Sequence, residues 1–454
     1  MSETLLSVGL DVGTSSTQLV VSELTLENQA SSFAVPEMKI TGRKIRYESP
    51  VYLTPLLGAD RIDGEKVREI VEKEYGKAGI TREAVDTGAV IITGETSRKE
   101  NAAAVLSALS ALAGDFVVAT AGPDLESRLA AKGAGALAYS EKTGQTVLHM
   151  DIGGGTSNLC RIREGEIVDT GCINVGGRLL HYDAEGRIQW ISQALKNIFP
   201  GKVGEIMTRD RASLLAEQLT EVLEMAAGLR SPDERLSALI TKEGKLLDPA
   251  GLQKPMVISF SGGVADCIEK DLPWDTFSDL GPLLGQAIRK SRLCQGKYRL
   301  GTATIRATVI GAGCHSAQLT GSTVFYQNIR FPLKNIPCRL ADHGNLLEKL
   351  EQDSENPEEP SVLAFPGIAS PGYGEIAALA DTIASRKISR PLLICIQQDM
   401  ALALGQALAL RLGKDFPILC MDSVCLEEES YLDVGEPVGP AIPVVVKTLI
   451  LEKG

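Results

Sequence analysis

The sequence predicts an α/β protein that contains two copies of one domain. The main observation is a ten-residue pattern that occurs twice, as LDVGTSSTQL at Leu10–Leu19 and as MDIGGGTSNL at Met150–Leu159. Each copy lies between two apolar runs and carries a turn of small residues, which indicates a β-hairpin. A buried strand that ends in Ser261-Gly262-Gly263 and a βαβ-like C-terminal region complete the prediction of a mixed fold.

The first part of the chain alternates predicted strands and helices. Continuous apolar runs predict buried strands, and apolar residues three and four apart predict helices. In chain order we expect strands at Leu5–Leu10 and Gln18–Leu24, mixed strand-like sequence at Phe33–Pro55, a helix at Gly64–Gly79, a strand at Ala89–Thr93, a helix at Arg98–Leu112, a strand at Phe116–Ala119 and a helical run at Asp124–Tyr139. We assign residues 1–140 to a first lobe.

The second part begins with the repeated hairpin and is assigned to a second lobe, residues 141–330. Its expected elements are strands at Thr146–Met150 and Asn158–Arg163, a mainly helical insertion at Arg178–Asp248 (an inserted subdomain near residues 178–250), a strand at Met256–Phe260 and a helix at Thr304–Leu319.

The last part, residues 331–454, is expected to form an extra α/β layer. The acidic, proline-containing stretch Glu351–Pro360 predicts an exposed linker. Beyond it, the strand Leu392–Ile396, the helix Asp399–Leu412 and the strand Pro417–Met421 predict a βαβ unit.

The repeated hairpins contain the candidate residues for binding phosphate and Mg²⁺. Asp11 and Asp151 each stand directly before the small-residue turn and lie 140 residues apart. Backbone N–H groups of such a turn can bind phosphate oxygens, and the carboxylate can hold a hydrated Mg²⁺ beside them. A single Gly/Ser/Thr turn is ordinary turn chemistry, but the repetition predicts two hairpins that close on one triphosphate.

Two glycine motifs have different interpretations. Gly262 and Gly263 lie between a predicted strand and a helix start, where backbone can approach a ligand closely. Gly311-Ala312-Gly313 lies within a predicted helix. For this second motif we favour close helix crossing over ligand contact.

Composition excludes several classes of function. The formal net charge of −12 and the 4% aromatic content argue against nucleic acid or an anionic membrane as a partner. No apolar run approaches the ~20 residues of a membrane span. Nine cysteines without a CxxC pair are typical of a reduced, cytoplasmic protein. The P-loop pattern G-x-x-x-x-G-K-[S/T] is absent.

Taken together and in this order, these motifs resemble the actin/heat-shock chaperone/sugar kinase ATPase superfamily. The resemblance implies duplicated actin-like (ribonuclease H-like) ATPase domains. It also implies that ATP and Mg²⁺ are the cofactors. It implies that Asp11 and Asp151 are the catalytic and metal-holding carboxylates. The implied nucleotide-binding residues are Gly13, Thr14, Ser15, Gly153, Gly154, Gly155, Thr156, Ser157, Gly176, Gly262 and Gly263.

One departure from the chaperone branch concerns the residue that orients the attacking water. Chaperone ATPases place a Glu before the Ala-Ala-x-Ala-Tyr stretch, where this chain reads Leu129–Gly133 without a carboxylate. Glu95 is a candidate replacement, and a helix-capping role for Glu95 is an equal alternative. Without an orienting carboxylate, ATP hydrolysis is expected to be slow.

Longer stretches resemble the family of ethanolamine ammonia-lyase reactivating proteins. These are Ile92–Asn101, Gly114–Glu126, Ile305–Gly313 and Gly439–Leu449. The resemblance implies a release chaperone with weak ATPase activity, which exchanges damaged cobalamin for intact cofactor on the adenosylcobalamin-dependent lyase. It implies the lyase as partner, a cytoplasmic or microcompartment location, and a homodimer as one option for assembly.

Three alternatives remain at this point. A small-molecule kinase would need a carboxylate base near the γ-phosphate, for which Asp169 or Glu95 are candidates. An actin-like filament protein receives no support from the acidic composition. An activator ATPase with an iron–sulfur cluster would need closely spaced cysteines, which the chain lacks.

Overall fold

The structure is a computed structural model. It describes residues 3–13, 16–28, 38–57, 61–93, 101, 105, 109, 117–120, 123–241, 245–253, 256–315, 317–319, 324–342, 344–354, 361–386, 388, 391–422, 424, 426, 430–435, 437 and 442–448. In these ranges, no helix combines the length and the apolar character that a membrane crossing requires.

The first lobe is built on a mixed sheet. Its strands are β1 (Glu3–Val12), β2 (Ser16–Asn28), β3 (Met38–Glu48), β4 (Tyr52–Leu53), β5 (Thr87–Ile92) and β6 (Val117–Thr120). The order is β3-β2-β1-β5-β6, with β4 paired to β2. Strands β1–β3 are antiparallel, whereas β1, β5 and β6 are parallel. The apolar face of helix α1 (Gly64–Ala78) contributes Val67 and Val71 to the core of this lobe.

The second lobe repeats this topology. Its sheet consists of β7 (Val147–Ile152), β8 (Ser157–Arg163), β9 (Glu166–Ile173), β12 (Val257–Ser261) and β13 (Tyr298–Leu300). The order β13-β12-β7-β8-β9 again joins three antiparallel strands to two parallel ones. The predicted duplicated actin-like fold is therefore confirmed.

The insertion between β9 and β12 is only partly as predicted. It contains helices α4 (Arg209–Ala226) and α5 (Glu234–Ala238), but it begins with an antiparallel hairpin of β10 (Leu180–Tyr182) and β11 (Ile188–Ile191). The prediction of mainly helical structure missed this hairpin because strands of three and four residues give too short a pattern to read.

Several short helices flank and connect the two sheets. They are α2 (Pro123–Gly133) and α3 (Ala136–Thr143) before β7, α6 (Ala265–Ile268), α7 (Gly281–Lys290) and α8 (Arg292–Gln295) after β12, and α9 (Ala307–His315) after β13. The helical run predicted at Asp124–Tyr139 is thus two helices, since Gly135 adopts a left-handed conformation with φ of 70° between them. The helix predicted at Arg98–Leu112 lies almost entirely outside the described residues.

The C-terminal region forms a third sheet of eight strands. Its strands are β14 (Ala317–Leu319), β15 (Val324–Gln327), β16 (Leu333–Leu340), β17 (Val362–Phe365), β18 (Leu392–Ile396), β19 (Ile418–Asp422), β20 (Ser430–Val434) and β21 (Pro443–Thr448). The order is β14-β21-β20-β16-β17-β18-β19-β15. Helices α10 (Leu346–Ser354), α11 (Tyr373–Ala384) and α12 (Ala401–Leu412) accompany it. The predicted βαβ unit is confirmed, since β18 and β19 are parallel and α12 connects them.

Two predictions in this region were wrong. The helix predicted at Thr304–Leu319 ends at His315, because residues 317–319 pair with β21 instead. The linker predicted at Glu351–Pro360 begins inside α10, which continues to Ser354, and residues 355–360 lie outside the described residues.

Helices α2 and α9 cross where two glycines let their backbones touch. A Cβ at Gly133 would lie 1.8 Å from Ala307 O, and a Cβ at Gly311 would lie 2.0 Å from Leu129 O. Both distances are far below any real contact, so only glycine fits at this crossing. The predicted packing role of the Gly311 motif is confirmed for Gly311 itself. The crossing joins the segment before the second hairpin to the segment after the Gly262-Gly263 turn.

We predict that Gly311→Ala destabilises the protein by about 1–3 kcal/mol, because the added methyl group forces the two helices apart. The control is Gly76→Ala in α1, where a Cβ meets nothing within 4 Å. That change should stabilise the protein by about 0.5–1 kcal/mol. Urea denaturation of both variants measures the two effects. A Gly311→Ala variant as stable as the wild type would contradict the crossing described here.

Candidate functional site

The two predicted hairpins have the same geometry. Asp11 pairs across its hairpin with Gln18, and Asp151 pairs in the same register with Asn158. One backbone hydrogen bond closes each turn, from Gly13 N–H to Ser16 O (2.8 Å) and from Gly153 N–H to Thr156 O (2.9 Å). The sequence repeat is therefore a structural repeat of strand, carboxylate and turn.

The first carboxylate is held by a neighbouring strand. Asp11 is 8% exposed and accepts a hydrogen bond from Thr93 Oγ1 at 2.9 Å. Thr93 follows β5, which is the strand that pairs in parallel with β1. On the other side of the turn, Thr54 Oγ1 donates to Gly13 O at 2.7 Å. The hairpin is thus fixed on both sides by hydroxyl groups of its own lobe.

The second carboxylate is held through a buried chain of polar groups. Asp151 is 6% exposed and accepts a short hydrogen bond from Ser261 Oγ. The His149 ring lies next in the chain, with Nε2 2.9 Å from Ser261 Oγ and Nδ1 3.2 Å from Ser259 Oγ. Because Ser261 donates to Asp151, its oxygen accepts from His149, which assigns the proton of the ring to Nε2. His149 is therefore a fully buried positioning group and not a metal ligand.

Burial sets the protonation of these three groups. Burial raises the pKa of Asp11 to about 7, and the negative charge of Asp151 adds to the rise. The hydrogen bond from Thr93 acts in the opposite direction and lowers this pKa. Burial raises the pKa of Asp151 to about 6, opposed by the hydroxyl groups of Ser261 and Thr308. Burial lowers the pKa of His149 to about 3, so its ring is neutral. Two buried carboxylates near each other create a site that a cation would stabilise.

Both carboxylates face one cleft between the lobes, with a volume of about 450 Å³. Residues of the first lobe and the second lobe line it together. They are Asp11, Gly13, Ser16, Gln18, Val51, Tyr52, Leu53, Thr93, Glu126, Asp151, Gly153, Gly154, Gly155, Thr156, Gly177, Arg178, Gly262, Gly263, Val264, Asp266, Cys267, Phe277, Asp279, Gly281, Ile305 and Thr308.

Most of the predicted site residues lie in this cleft, but two do not line it. Ser157 is fully buried and donates its hydroxyl to Val175 O at 2.7 Å, so it anchors the hairpin instead of facing the cleft. Gly176 packs against the turn, where a Cβ would lie 2.3 Å from Gly154 O. Its neighbour Gly177 lines the cleft in its place. Thr14, Ser15 and Glu95 lie outside the described residues.

The Gly262-Gly263 turn lies beside the second hairpin. Gly262 has a φ of 86°, and a Cβ there would lie 2.3 Å from Ile152 O. Gly263 has more room, with Ile305 Cδ1 3.6 Å from the corresponding Cβ position. Only glycine therefore fits the backbone conformation and the close packing at position 262. At position 263 there is room for a Cβ on the side of Ile305.

Sequence reasoning missed several cleft residues. Glu126 in α2, Gln18 in β2 and the ion pair of Arg178 with Asp279 (3.1 Å) all line the cleft. Gln18 has a sequence signal, because it occupies the position of Asn158 in the repeat. The other residues come from segments that approach the cleft only in the folded chain.

The cleft fits a nucleotide with a hydrated cation. Gln18 Nε2 donates to Ile305 O at 3.0 Å, while its buried Oε1 has no hydrogen-bond partner in the structure. Within the described ranges, no three His, Cys, Asp or Glu side chains are grouped to hold a metal by themselves. Two carboxylates beside small-residue turns suit an ion that keeps most of its water and shares phosphate oxygens.

We predict that Asp11→Asn stabilises the protein without cations or nucleotide, because it removes a buried charge and keeps an oxygen for Thr93. Ionisation of the buried Asp11 carboxyl lowers the free energy of unfolding. This loss begins above the ordinary pKa of 3.8 and is complete above the folded-state pKa of about 7. At pH 8 the melting temperature should rise by about 2–4 °C, the shift for ~1 kcal/mol. This gain should vanish near pH 4.

The control is Asp381→Asn. The hydrogen bond from Arg411 lowers the pKa of this exposed carboxyl, so the variant should show no gain at pH 8. Melting curves between pH 4 and pH 8 measure both variants. A lower melting temperature for Asp11→Asn at pH 8 would contradict the assigned environment of Asp11.

The chain is similar to proteins of one named family. The family model described as "Ethanolamine utilisation protein EutA" matches residues 3–452. The ethanolamine ammonia-lyase reactivase EutA of Salmonella typhimurium is 38% identical over 98% of both chains. The Escherichia coli protein of the same name is 37% identical over 98% of both chains.

Among solved structures, the Ppx/GppA enzyme of Aquifex aeolicus is 14% identical, with a TM-score of 0.41 over 68% of this chain and 99% of that one. The fold assignment rests on the strand order given above and not on this likeness. The match over nearly the whole length and the identity to both curated relatives show that this chain belongs to the EutA family of ethanolamine utilisation proteins.

Proposed function

We propose that this protein is an ATP-dependent reactivating factor for adenosylcobalamin-dependent ethanolamine ammonia-lyase. It promotes the exchange of damaged cobalamin for intact cofactor and acts as a weak ATPase. The observation that carries the proposal is the pair of equivalent hairpins whose carboxylates, Asp11 and Asp151, line one cleft. The curated relatives named as reactivases of this lyase supply the partner.

In this proposal, Asp11 and Asp151 hold Mg²⁺ through its water molecules. The N–H of Gly153 closes its own turn, so the following residues Gly154–Thr156 offer their N–H groups to phosphate oxygens. The N–H of Gly13 likewise closes its own turn, so in the first lobe we assign the phosphate contacts to Thr14 and Ser15, with Gly13 allowing the close approach. We assign Gly262 and Gly263 to the adenosine. When bound, Mg²⁺ would supply positive charge beside the two carboxylates, and ATP would supply a terminal phosphoryl group that water can attack.

Binding between the lobes gives a way to act on a partner. A nucleotide favours the closed arrangement only by its higher affinity for that arrangement, and about 5.5 kcal/mol reverses a 1:99 population. Contacts already join the lobes on the cleft side of α9, where Gln18 bonds to Ile305 O and Arg306 Nη2 donates to Ser49 O at 2.8 Å. Closure around the α2–α9 crossing would change the surface offered to the lyase.

Glu126 is the proposed residue that orients the attacking water. Glu126 lines the same cleft as Asp11 and Asp151. Glu126 stands in the first turn of α2, before the Leu129–Gly133 stretch that lacks a carboxylate. Glu95 remains the alternative for this role.

The kinase alternative is not favoured. Asp169 was a candidate base, but it does not line the cleft. Its carboxylate instead accepts from Asp248 N–H at 2.7 Å and lies 3.8 Å from Arg161 Nη2. These contacts give Asp169 a structural role, in which it joins β9 to the segment at the end of the insertion.

The remaining parts of the proposal concern organisation. We assign the lobes to residues 1–140 and 141–330 and the extra layer to residues 331–454, with β14 and β15 of the preceding segment pairing with strands of that layer. The protein acts in the cytoplasm and with the lyase inside a bacterial microcompartment, as a monomer or homodimer. Neither nucleic acid nor a membrane is a partner.

The test is reactivation of lyase that has been inactivated with cyanocobalamin. Wild-type protein with ATP, Mg²⁺ and adenosylcobalamin should restore turnover, and Asp151→Ala should abolish the recovery because the metal loses a carboxylate. Asp169→Asn, with its carboxylate outside the cleft, is the matched control and should retain recovery. Absence of recovery with wild-type protein would overturn the reactivase function.

Measurement of ATP hydrolysis by single variants shows which residue orients the attacking water. Glu126→Gln should lower the ATP hydrolysis rate about 10²-fold, the scale for loss of one acid–base group, while ATP affinity is kept. Glu95→Gln should then hydrolyse ATP at the wild-type rate. The reverse pattern would assign the role to Glu95.

A further inference from the structure

One aromatic ring lies exposed inside the cleft. Phe277 is 46% exposed although it lines a cavity bounded by both lobes. The apolar side chains of Val264, Cys267 and Ile305 line the same cleft on the second lobe, together with the charged side chains of Arg178, Asp266 and Asp279. Exposed aromatic surface in an enclosed cleft is favourable only when a ligand covers it.

Phe277 is adjacent to the Gly262-Gly263 turn through a short series of contacts. A Cβ at Gly281 would lie 3.9 Å from Phe277 Cδ2, and a Cβ at Gly177 would lie 3.0 Å from both Gly281 Cα and Val264 Cγ2. Position 177 has little room for a side chain, because the Gly281 backbone and the Val264 side chain pack directly against it. Gly281, Gly177 and Val264 therefore connect Phe277 to the Gly262-Gly263 turn by direct packing.

The loop that carries Phe277 is held rigidly on both sides of the ring. Tyr182 N–H donates to Ser278 O at 3.0 Å, and Tyr182 Oη donates to Trp274 O at 3.1 Å. The rings of Tyr182 and Trp274 stack with centroids 5.1 Å apart. The loop thus packs one of its aromatic residues into the protein and directs the other to the cleft.

Ser278 adopts a conformation that a non-glycine residue rarely takes. Its φ is 53°, in the left-handed region, and it follows Phe277 directly. Such a conformation is unfavourable for a residue with a Cβ and persists only where surrounding contacts impose it. Here those contacts fix the direction of the preceding ring.

The loop is also tied to the phosphate-binding turn. Asp279 accepts from Arg178 Nε at 3.1 Å and from Gly281 N–H at 2.8 Å. Arg178 N–H in turn donates to Gly154 O at 2.7 Å. The aromatic ring and the second hairpin are therefore connected through Arg178, which fixes the spacing between a ring platform and a phosphate cradle.

We propose that Phe277 is the stacking platform for the nucleobase, so that it determines the preference for a nucleoside triphosphate over the bare triphosphate chain. This inference rests on the proposed nucleotide binding and adds the residue that recognises the base. A phenyl ring stacks on any base, so the preference is for the presence of a base, with larger purines favoured over pyrimidines.

The test compares binding of ATP and of inorganic tripolyphosphate, each with Mg²⁺, by calorimetry. Phe277→Ala should weaken ATP binding by roughly 5- to 100-fold, the range for loss of one base–aromatic stack, and leave tripolyphosphate binding unchanged. Phe277→Tyr, which keeps a ring, should retain ATP affinity. Leu410→Ala is the matched control and should bind both ligands as the wild type does, because Leu410 is 83% exposed in α12 and does not line the cleft.

The outcomes are distinguishable. Unchanged ATP affinity in Phe277→Ala, or equal weakening of ATP and tripolyphosphate, would overturn the platform while the proposed nucleotide binding stands. Wild-type protein that binds tripolyphosphate as tightly as ATP would also overturn the platform and leave the proposed nucleotide binding intact. Wild-type protein that binds neither would overturn the nucleotide site itself, and the platform with it.

Discussion

The structure depends on two carboxylates that are buried in the same cleft. Asp11 and Asp151 come from equivalent hairpins in separate lobes, and burial raises the pKa of both. Burial opposes ionisation of both carboxylates, and the charge of Asp151 adds to this for Asp11. A cation beside the carboxylates would favour their ionised forms. In the proposed function, the free energy of that attraction couples nucleotide binding to lobe closure.

The rest of the fold serves to keep these carboxylates in place while the lobes remain able to move. Each Asp is held by a hydroxyl group of its own lobe, Thr93 in one case and Ser261 in the other. The lobes themselves meet at a helix crossing where Gly133 and Gly311 allow backbone contact. Hairpins fixed in this way and a close crossing between the lobes fit the proposed nucleotide-dependent release of cofactor.

Much of the fold could be predicted because the sequence repeats its pattern, and the buried strands have uniform apolar runs. The hairpins, helix α1 and the C-terminal βαβ unit followed from local periodicity. The hairpin β10–β11 could not be predicted, because its strands are too short to show a period. The cleft contains residues of both repeats and of the Gly262-Gly263 turn, which the sequence indicated. Ser157 and Gly176 do not line it, because Ser157 bonds to Val175 O and Gly176 packs against Gly154, and neither contact can be read from the sequence. The position of Phe277 depends on a loop conformation that Tyr182 fixes.

The central claim is that both lobes grip a single metal-bound nucleotide. The most direct test is a double-mutant cycle on the affinity for Mn²⁺-ATP, followed by electron paramagnetic resonance of free Mn²⁺. If Asp11 and Asp151 share one ion, Asp11→Asn and Asp151→Asn each weaken binding, and the double variant loses less than the sum of the two. Strictly additive losses, as for distant and independent sites, would contradict the shared ion and with it the account of the cleft.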